Sequence, residues 1–418
     1  MVIYILLCFF MGFVDTAFKT SYSFINDLII LLYFAYYIIK KNGKLNIKFI
    51  FIFCLLILLV HSCYLIFADN LIEALKGGRQ ITITYLYIII FYLLIRDNIS
   101  EKSITYYKKS VFLILKINII FIMSENVINV IGYNYLINKF IPNYRYLHSY
   151  FINSFMNIDF VAPNSLVLGA QSASIISLMG IILFAPFYKG ERTSRASFFW
   201  LLLAFISYIS SITGASIVCL AIYIMIWLYF ANISKSKKIV FSGFIIIFCS
   251  AVKNAFLYRF PIDTWAEGFV KEYYLEHFLA PLVVWSDFSL IDLLFGVGTG
   301  PMVEERLYFN ADFGLGVLLV SHGLLIMGFI TILYFIYSIN IVYILNKEVQ
   351  HFSEIDSFVI KNYLCTLVLF VSTIHYTTLF MPGMRQFFAF QIALTCVLIM
   401  RMKSERLKCQ PLLKPNSV

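Results

Sequence analysis

Runs of about 20 apolar residues recur from one end of this chain to the other, each long enough to cross a bilayer core of ~30 Å as a helix. In lipid every backbone N–H and C=O must be satisfied within the fold, and a helix does this inside one segment. Only 13% of the 418 residues are charged, where a soluble domain carries about a quarter. The expected fold is therefore all-α, a polytopic integral membrane protein with about twelve spans. They fall near 2–18, 23–39, 49–68, 79–95, 109–131, 163–188, 196–212, 215–231, 239–252, 313–345, 363–379 and 384–400. The tenth is long for one span and is expected to tilt or to extend into the cytoplasm.

Charge orients these spans. With the N-terminus inside, the cytoplasmic connections and tail contain "KKNGKLNIK", "RDNISEKSITYYKK", "KGERTSR", "SKSKK", Lys347, Lys361 and "RMKSERLKCQPLLK", together 21 of the 32 basic residues. The outer connections hold ten, and Lys116 lies within a span, from which it can snorkel to the cytoplasm. This bias is what positive-inside insertion predicts, and it places both termini in the cytoplasm. It also accounts for the net charge of +10 without a nucleic-acid partner. The first apolar stretch has no basic n-region and no small-residue cleavage site before Lys19, so it reads as a span and not as a signal peptide. The eight cysteines lie in or beside spans or in the tail, with no CxxC spacing, which argues against a disulfide framework or a zinc site.

Three regions follow. Residues 1–252 hold spans one to nine, with a medium outer loop near 132–163. Residues 253–312 form the one large outer loop, and 313–418 hold spans ten to twelve and the tail. Inside the large loop, "PIDTWAEGFVKEYYLEHFLAP" reads as an amphipathic helix, with Thr264 and Glu267 as a capping box and Pro281 as its stop. Trp265, Tyr273, Tyr274 and Trp285 lie in this loop, where aromatic residues at a membrane interface are expected. The loop ends in "LLFGVGTGPMVEERLYFNADFG". Its glycines lack the GK[ST] ending of a P-loop and face the side where ATP is absent. They are expected to form a tight turn that lets the backbone approach something closely.

Arg79, Arg145, Arg259, Arg306 and Arg385 all map to outer loops or outer span ends. Arginine pairs bidentately with phosphate oxygens and keeps its charge when partly buried, so these five are candidate ligands for a diphosphate. A headgroup anchor or a salt bridge is the competing role for each. Acid–base candidates are Asp312 at the start of the tenth span, His375 near the outer end of the eleventh, and His322, about 15 Å deeper than Asp312 along a straight helix. A satisfied hydrogen-bond partner competes for each histidine, and a helix cap for Asp312. Asp15, Glu125 and Gln171 also fall inside spans, and Glu125 near an outer end makes no convincing relay.

Four stretches carry a resemblance. They are "LLFGVGTG", "NADFGLGVLLVSHGLLIMGFI", "HYTTLFMPGMRQFF" and "SYISSITGASIVCL". With the topology, they resemble the Wzy-type O-antigen polymerases, a family related to O-antigen ligases. Ligase-like relatives often have a His-Asn pair where this chain has Asn310-Ala311-Asp312, and an Arg where it has Thr213-Gly214, which argues mildly against a ligase. The resemblance implies a bacterial inner-membrane glycosyltransferase that uses an undecaprenyl-diphosphate-linked oligosaccharide. The glycan moves onto the non-reducing end of another lipid-linked repeat unit at the outer face. It implies no cofactor and no metal. Asp312, His375 or His322 would serve as base, the arginines as a diphosphate clamp, and Trp265, Tyr273, Tyr274 and Trp285 as aromatic faces for sugars, with a chain-length regulator protein as a further partner beside the lipid bilayer. The alternatives are an O-antigen ligase and a lipid-linked oligosaccharide flippase or transporter. Transporters usually show two related halves, and this chain shows no internal repeat.

Overall fold

The structure, a computed structural model, describes residues 1–18, 22–40, 71–131, 147–148, 161–166, 170–187, 191, 194–230, 239, 243, 289–296, 314–345, 353–373 and 381–409. Its helices are α1 (Val2–Phe18), α2 (Ser23–Lys40), α3 (Leu71–Asp97), α4 (Glu101–Ile131), α5 (Ala170–Phe184), α6 (Arg195–Ser211), α7 (Gly214–Phe230), α8 (Leu290–Phe295), α9 (Gly314–Leu345), α10 (Glu354–Ser372) and α11 (Met384–Cys409). A two-residue antiparallel pair, β1 (Leu147–His148) with β2 (Val161–Ala162), lies in the medium loop. The protein is thus an all-α, membrane-embedded protein. Its segments 101–131, 322–339, 354–372 and 384–404 are long and apolar enough to cross a membrane, and 2–15, 171–184, 195–211 and 216–228 are shorter apolar helices. The span expected at 49–68, all but residues 239 and 243 of that expected at 239–252, and the amphipathic helix of the large loop lie outside the described residues.

The helix ends sort onto two faces. On one, the Tyr37 hydroxyl at the end of α2 donates to Asp97 at the end of α3. Arg401 of α11 lies 3.9 Å from Glu101 at the start of α4, and Lys108 lies 3.4 Å from Glu354 at the start of α10. Glu191, just past α5, accepts from Lys361 at 2.6 Å, Ser357 at 3.0 Å and the Phe187 N–H at 2.7 Å. These are the ends rich in lysine and arginine. The opposite face, called outer below, collects the end of α4 and the starts of α5 and α11.

Three expectations change. The eleventh span starts nine residues early, at Glu354 instead of 363, because Ser353 and Asp356 close a capping box there. Lys361 is consequently not in a connection but on the buried face of α10, where Glu191 neutralises it. Lys116 on α4 holds its ammonium 5.0 Å from the centre of the Trp200 ring, near the start of α6. The tenth span is no single tilted helix. Gly323 has φ 70 and ψ 170, which no helix accommodates, so α9 breaks there. The part after the break, 324–345, is about 33 Å long at ~1.5 Å per residue and by itself matches the bilayer core.

Candidate functional site: a polar seam at the outer helix ends

The seam begins at the Ser-rich turn between α6 and α7. "SYISSITGAS" cannot continue a helix through Ile212 and Thr213, and its serines fold back on carbonyls: Ser210 and Ser211 donate to Ser207 O, and Ser216 to Thr213 O. Tyr208 braces the turn from within by donating to Ser216 O at 3.0 Å. The turn is then held by neighbours. Asn126 of α4 donates to Ser210 Oγ at 2.9 Å, and Thr213 Oγ1 lies 3.1 Å from Ser174 Oγ of α5. One residue before Asn126, Glu125 accepts the Asn164 N–H at 2.7 Å and is 5% exposed. Glu125 is therefore a buried, hydrogen-bonded carboxylate at the outer end of α4, where the sequence placed it without giving it a role.

Across α5 the seam continues to "MPGMRQ". Ser172 donates to the Met381 sulfur at 3.7 Å. Gly383 takes φ 85, and a Cβ there would meet Phe9 Cγ at 2.6 Å, so only glycine fits both the turn and the contact with α1. Gln386 reaches back to the Gly383 N–H at 2.6 Å and starts α11. Arg385, 3% exposed, makes a 2.5 Å ion pair with Asp27 of α2, and its guanidinium lies 5.9 Å from the Tyr87 ring. The Tyr87 hydroxyl donates to the same carboxylate at 3.2 Å and stands 3.0 Å from the Tyr4 hydroxyl, which reaches Asn26 O at 2.8 Å. Low dielectric makes such a pair strongly interdependent. The buried Arg385 Nε, Gln386 Nε2 and Asn26 Nδ2 have no hydrogen-bond partner among the described residues. Arg385 is thus placed in a buried ion pair with Asp27, the salt-bridge role that competes with a diphosphate ligand.

A third junction joins α8 to the break in α9. Gly296 (φ 80) ends α8, and Gly323 abuts it so closely that a Cβ on Gly323 would lie 2.4 Å from Gly296 N and from Leu294 O. This is the close backbone approach expected of the glycine stretch, and its partner is another stretch of the same chain. His322 precedes the break and is 2% exposed. Because 324–345 is a full span, His322 sits at that span's outer end and not deep along one helix, which corrects the depth inferred from a continuous α9.

Arg79 lies on α3, with its side chain outside the described residues. Asp312, His375, Arg145, Arg259, Arg306, Trp265, Tyr273, Tyr274 and Trp285 also lie outside them. α10 itself ends at Ser372 with Thr373 as its cap, so the helix stops short of His375. Sequence reading missed Asp27, Asn26, Tyr87 and Asn126. Their one visible signal was a polar residue in an apolar run.

Helices, apolar belts and a polar seam on one face define the class: an all-α membrane protein with buried polar chemistry near one surface. No family model, no curated protein and no solved structure matches the chain.

Proposed function

We propose that this chain is a surface-polysaccharide polymerase of the O-antigen type, a twelve-span glycosyltransferase of the bacterial inner membrane with both termini in the cytoplasm. The observation that carries the reading is convergence. The stretches that resemble the polymerases meet in pairs: "LLFG" abuts "SHGLL" at Gly296 and Gly323, and "SSITGAS" and "MPGMRQ", more than 160 residues apart in sequence, flank the start of α5. Polar groups gather where a lipid-linked substrate would present its diphosphate.

In the reaction, an acceptor hydroxyl attacks the anomeric carbon of the donor glycan. The bond to the undecaprenyl diphosphate oxygen breaks, and the diphosphate leaves with the electron pair. Its departure needs positive charge rather than a proton, and Arg79, Arg145, Arg259 and Arg306 supply it in place of a metal. The acceptor proton passes to a base within hydrogen-bond reach. Asp312 is the first candidate, and His375 and His322 follow. The break in α9 removes the depth that set His322 behind.

Deleting the gene and separating the surface polysaccharide on a gel tests the reading. Caps of a single repeat unit support a polymerase. A lost cap indicates a ligase, and lipid-linked units trapped inside the cell indicate a flippase.

A further inference from the structure

α4 and α6 run side by side from the basic face toward the outer one, and the groove between them carries positive charge on its lipid side. Lys102, Lys109 and Lys116 recur at every seventh residue of α4, and seven residues return a helix to within about 20° of the same face. Leu113 and Ile120 share that face and are 47% and 51% exposed, so it looks into lipid. Lys116 reaches α6: its ammonium is 5.0 Å from the centre of the Trp200 ring, which Phe184 of α5 stacks at 6.3 Å. Trp200 is five residues into α6, so Lys116 sits about 7.5 Å inside the start of that helix, and Lys109, about 10.5 Å below Lys116, is near the level of that start. Side chains lean toward the N-terminus of their helix, here the basic face, which turns Lys116 toward Lys109. Lys108, next in sequence, points elsewhere, to Glu354 at 3.4 Å. Lys102, Lys109 and Lys116 make no ion pair among the described residues. α6 contains no acid, and α4 has only Glu101, beside Arg401, and Glu125 at its far end.

We propose that this groove binds an anionic phospholipid of the leaflet at the basic face, with its phosphate between Lys109 and Lys116 and an acyl chain along Ile120. Such binding requires the membrane-embedded fold and not the polymerase activity. Depth and charge choose the occupant. The two lysines flank exposed Leu113 on a lipid-facing stripe, so a ligand that neutralises both comes from the bilayer and brings an apolar part. A zwitterionic head carries its own cation and leaves the lysines without net compensation, whereas an anionic head supplies the missing charge. A second membrane helix would have to carry acids at the same depth, which is costly. Each lysine close to the membrane surface favours an anionic head about five-fold, and basic pockets between helices on the cytoplasmic side suit such heads. The Trp200 ring, held by Phe184, fixes the place of the Lys116 ammonium and so makes a site from what would otherwise be a diffuse attraction.

The chain holds four tryptophans, so Trp227→Phe, Trp265→Phe and Trp285→Phe together leave Trp200 as the one reporter in the full-length protein. In phosphatidylcholine bilayers, brominated lipids quench an indole that they touch. Brominated phosphatidylglycerol is expected to compete for the Trp200 site at least about five-fold better than brominated phosphatidylcholine. Lys116→Gln combined with Lys109→Gln is expected to bring that ratio close to one. Lys116→Arg, and Lys40→Gln at the end of α2, are expected to keep it. A companion protein that retains only Trp227, near the basic face on α7 where it donates to Pro186 O, is expected to show no such preference. Equal ratios at Trp200 and Trp227, or an unchanged ratio in the double lysine variant, overturn the site and leave only a general attraction of the basic face. If the protein with the three phenylalanines does not fold, the unmodified chain decides. Its thermal stabilisation by phosphatidylglycerol over phosphatidylcholine is expected to be lost in the double lysine variant and kept in Lys40→Gln, and equal loss in both overturns the site.

Discussion

Arg385 separates two roles that an arginine at a membrane surface can play. An arginine that only clamps substrate can be lost without loss of the protein. One neutralising Asp27 inside the bundle cannot, because its removal strands a buried carboxylate at a penalty of about 3–5 kcal/mol. Arg385→Ala is therefore expected to lower folded yield and thermal stability, and adding Asp27→Asn to recover much of both. Stable, inactive Arg385→Ala protein on a melting curve would return Arg385 to the clamp. The remaining arginines are expected to behave otherwise. Among Arg79, Arg259 and Arg306, at least two changes to Ala should cut long-chain polymer about 100-fold with normal protein levels, and Arg→Lys should rescue poorly because the fork is lost. Normal polymer in all three would refute the clamp. Asp312→Asn keeps helix-capping ability but accepts no proton, so single-repeat chains on normal protein levels mark the base. Wild-type chain lengths would move that role to a histidine. The sequence flagged Arg385 as notable but not its partner, since Asp27 is 358 residues away and no local pattern links the two.

Elements were legible wherever apolar length decides them. α1, α2, α6, α7 and the start of α11 fall within a residue of the expected spans, since a bilayer thickness sets both. What hydropathy cannot register is a backbone dihedral. Gly323 follows Ser321 and His322 in a long, mostly apolar segment, so the segment read as one long helix, and the break appeared only where Gly296 approaches. Two of this helix's glycines, Gly323 and Gly328, therefore make a matched test. Gly323→Ala puts a Cβ where L-residues are strained and 2.4 Å from backbone, and is expected to cost more than about 3 kcal/mol and to abolish polymer. Gly328→Ala meets nothing within 4 Å in the same helix, and is expected to be neutral or stabilising by up to ~1 kcal/mol. Equal melting temperatures for the two variants would mean that the break is not part of the working protein. The early start of α10 has a similar cause: Ser353 and Asp356 cap it, and Glu191 makes Lys361 tolerable inside it.

At the scale of the whole molecule, the helix ends sort onto a basic face and a polar face, and the orientation expected from charge bias would put the basic one in the cytoplasm. A reporter active only outside the cytoplasm is expected to be active when fused near Asn153 or Asn310 and silent near Ser236 or at the C-terminus. Activity at Ser236 would invert the map and move the seam to the wrong leaflet. The outer half of the site was only partly legible, because its serines and asparagines look like ordinary polar residues until α4, α5 and α6 bring them together. The most direct measurement of the central claim is polymerisation by the purified protein in proteoliposomes, supplied only with undecaprenyl-diphosphate-linked repeat units from its own cell. The account predicts a ladder of chain lengths and release of one undecaprenyl diphosphate per bond formed. Repeat units that stay single while crossing the bilayer would contradict it and identify a transporter.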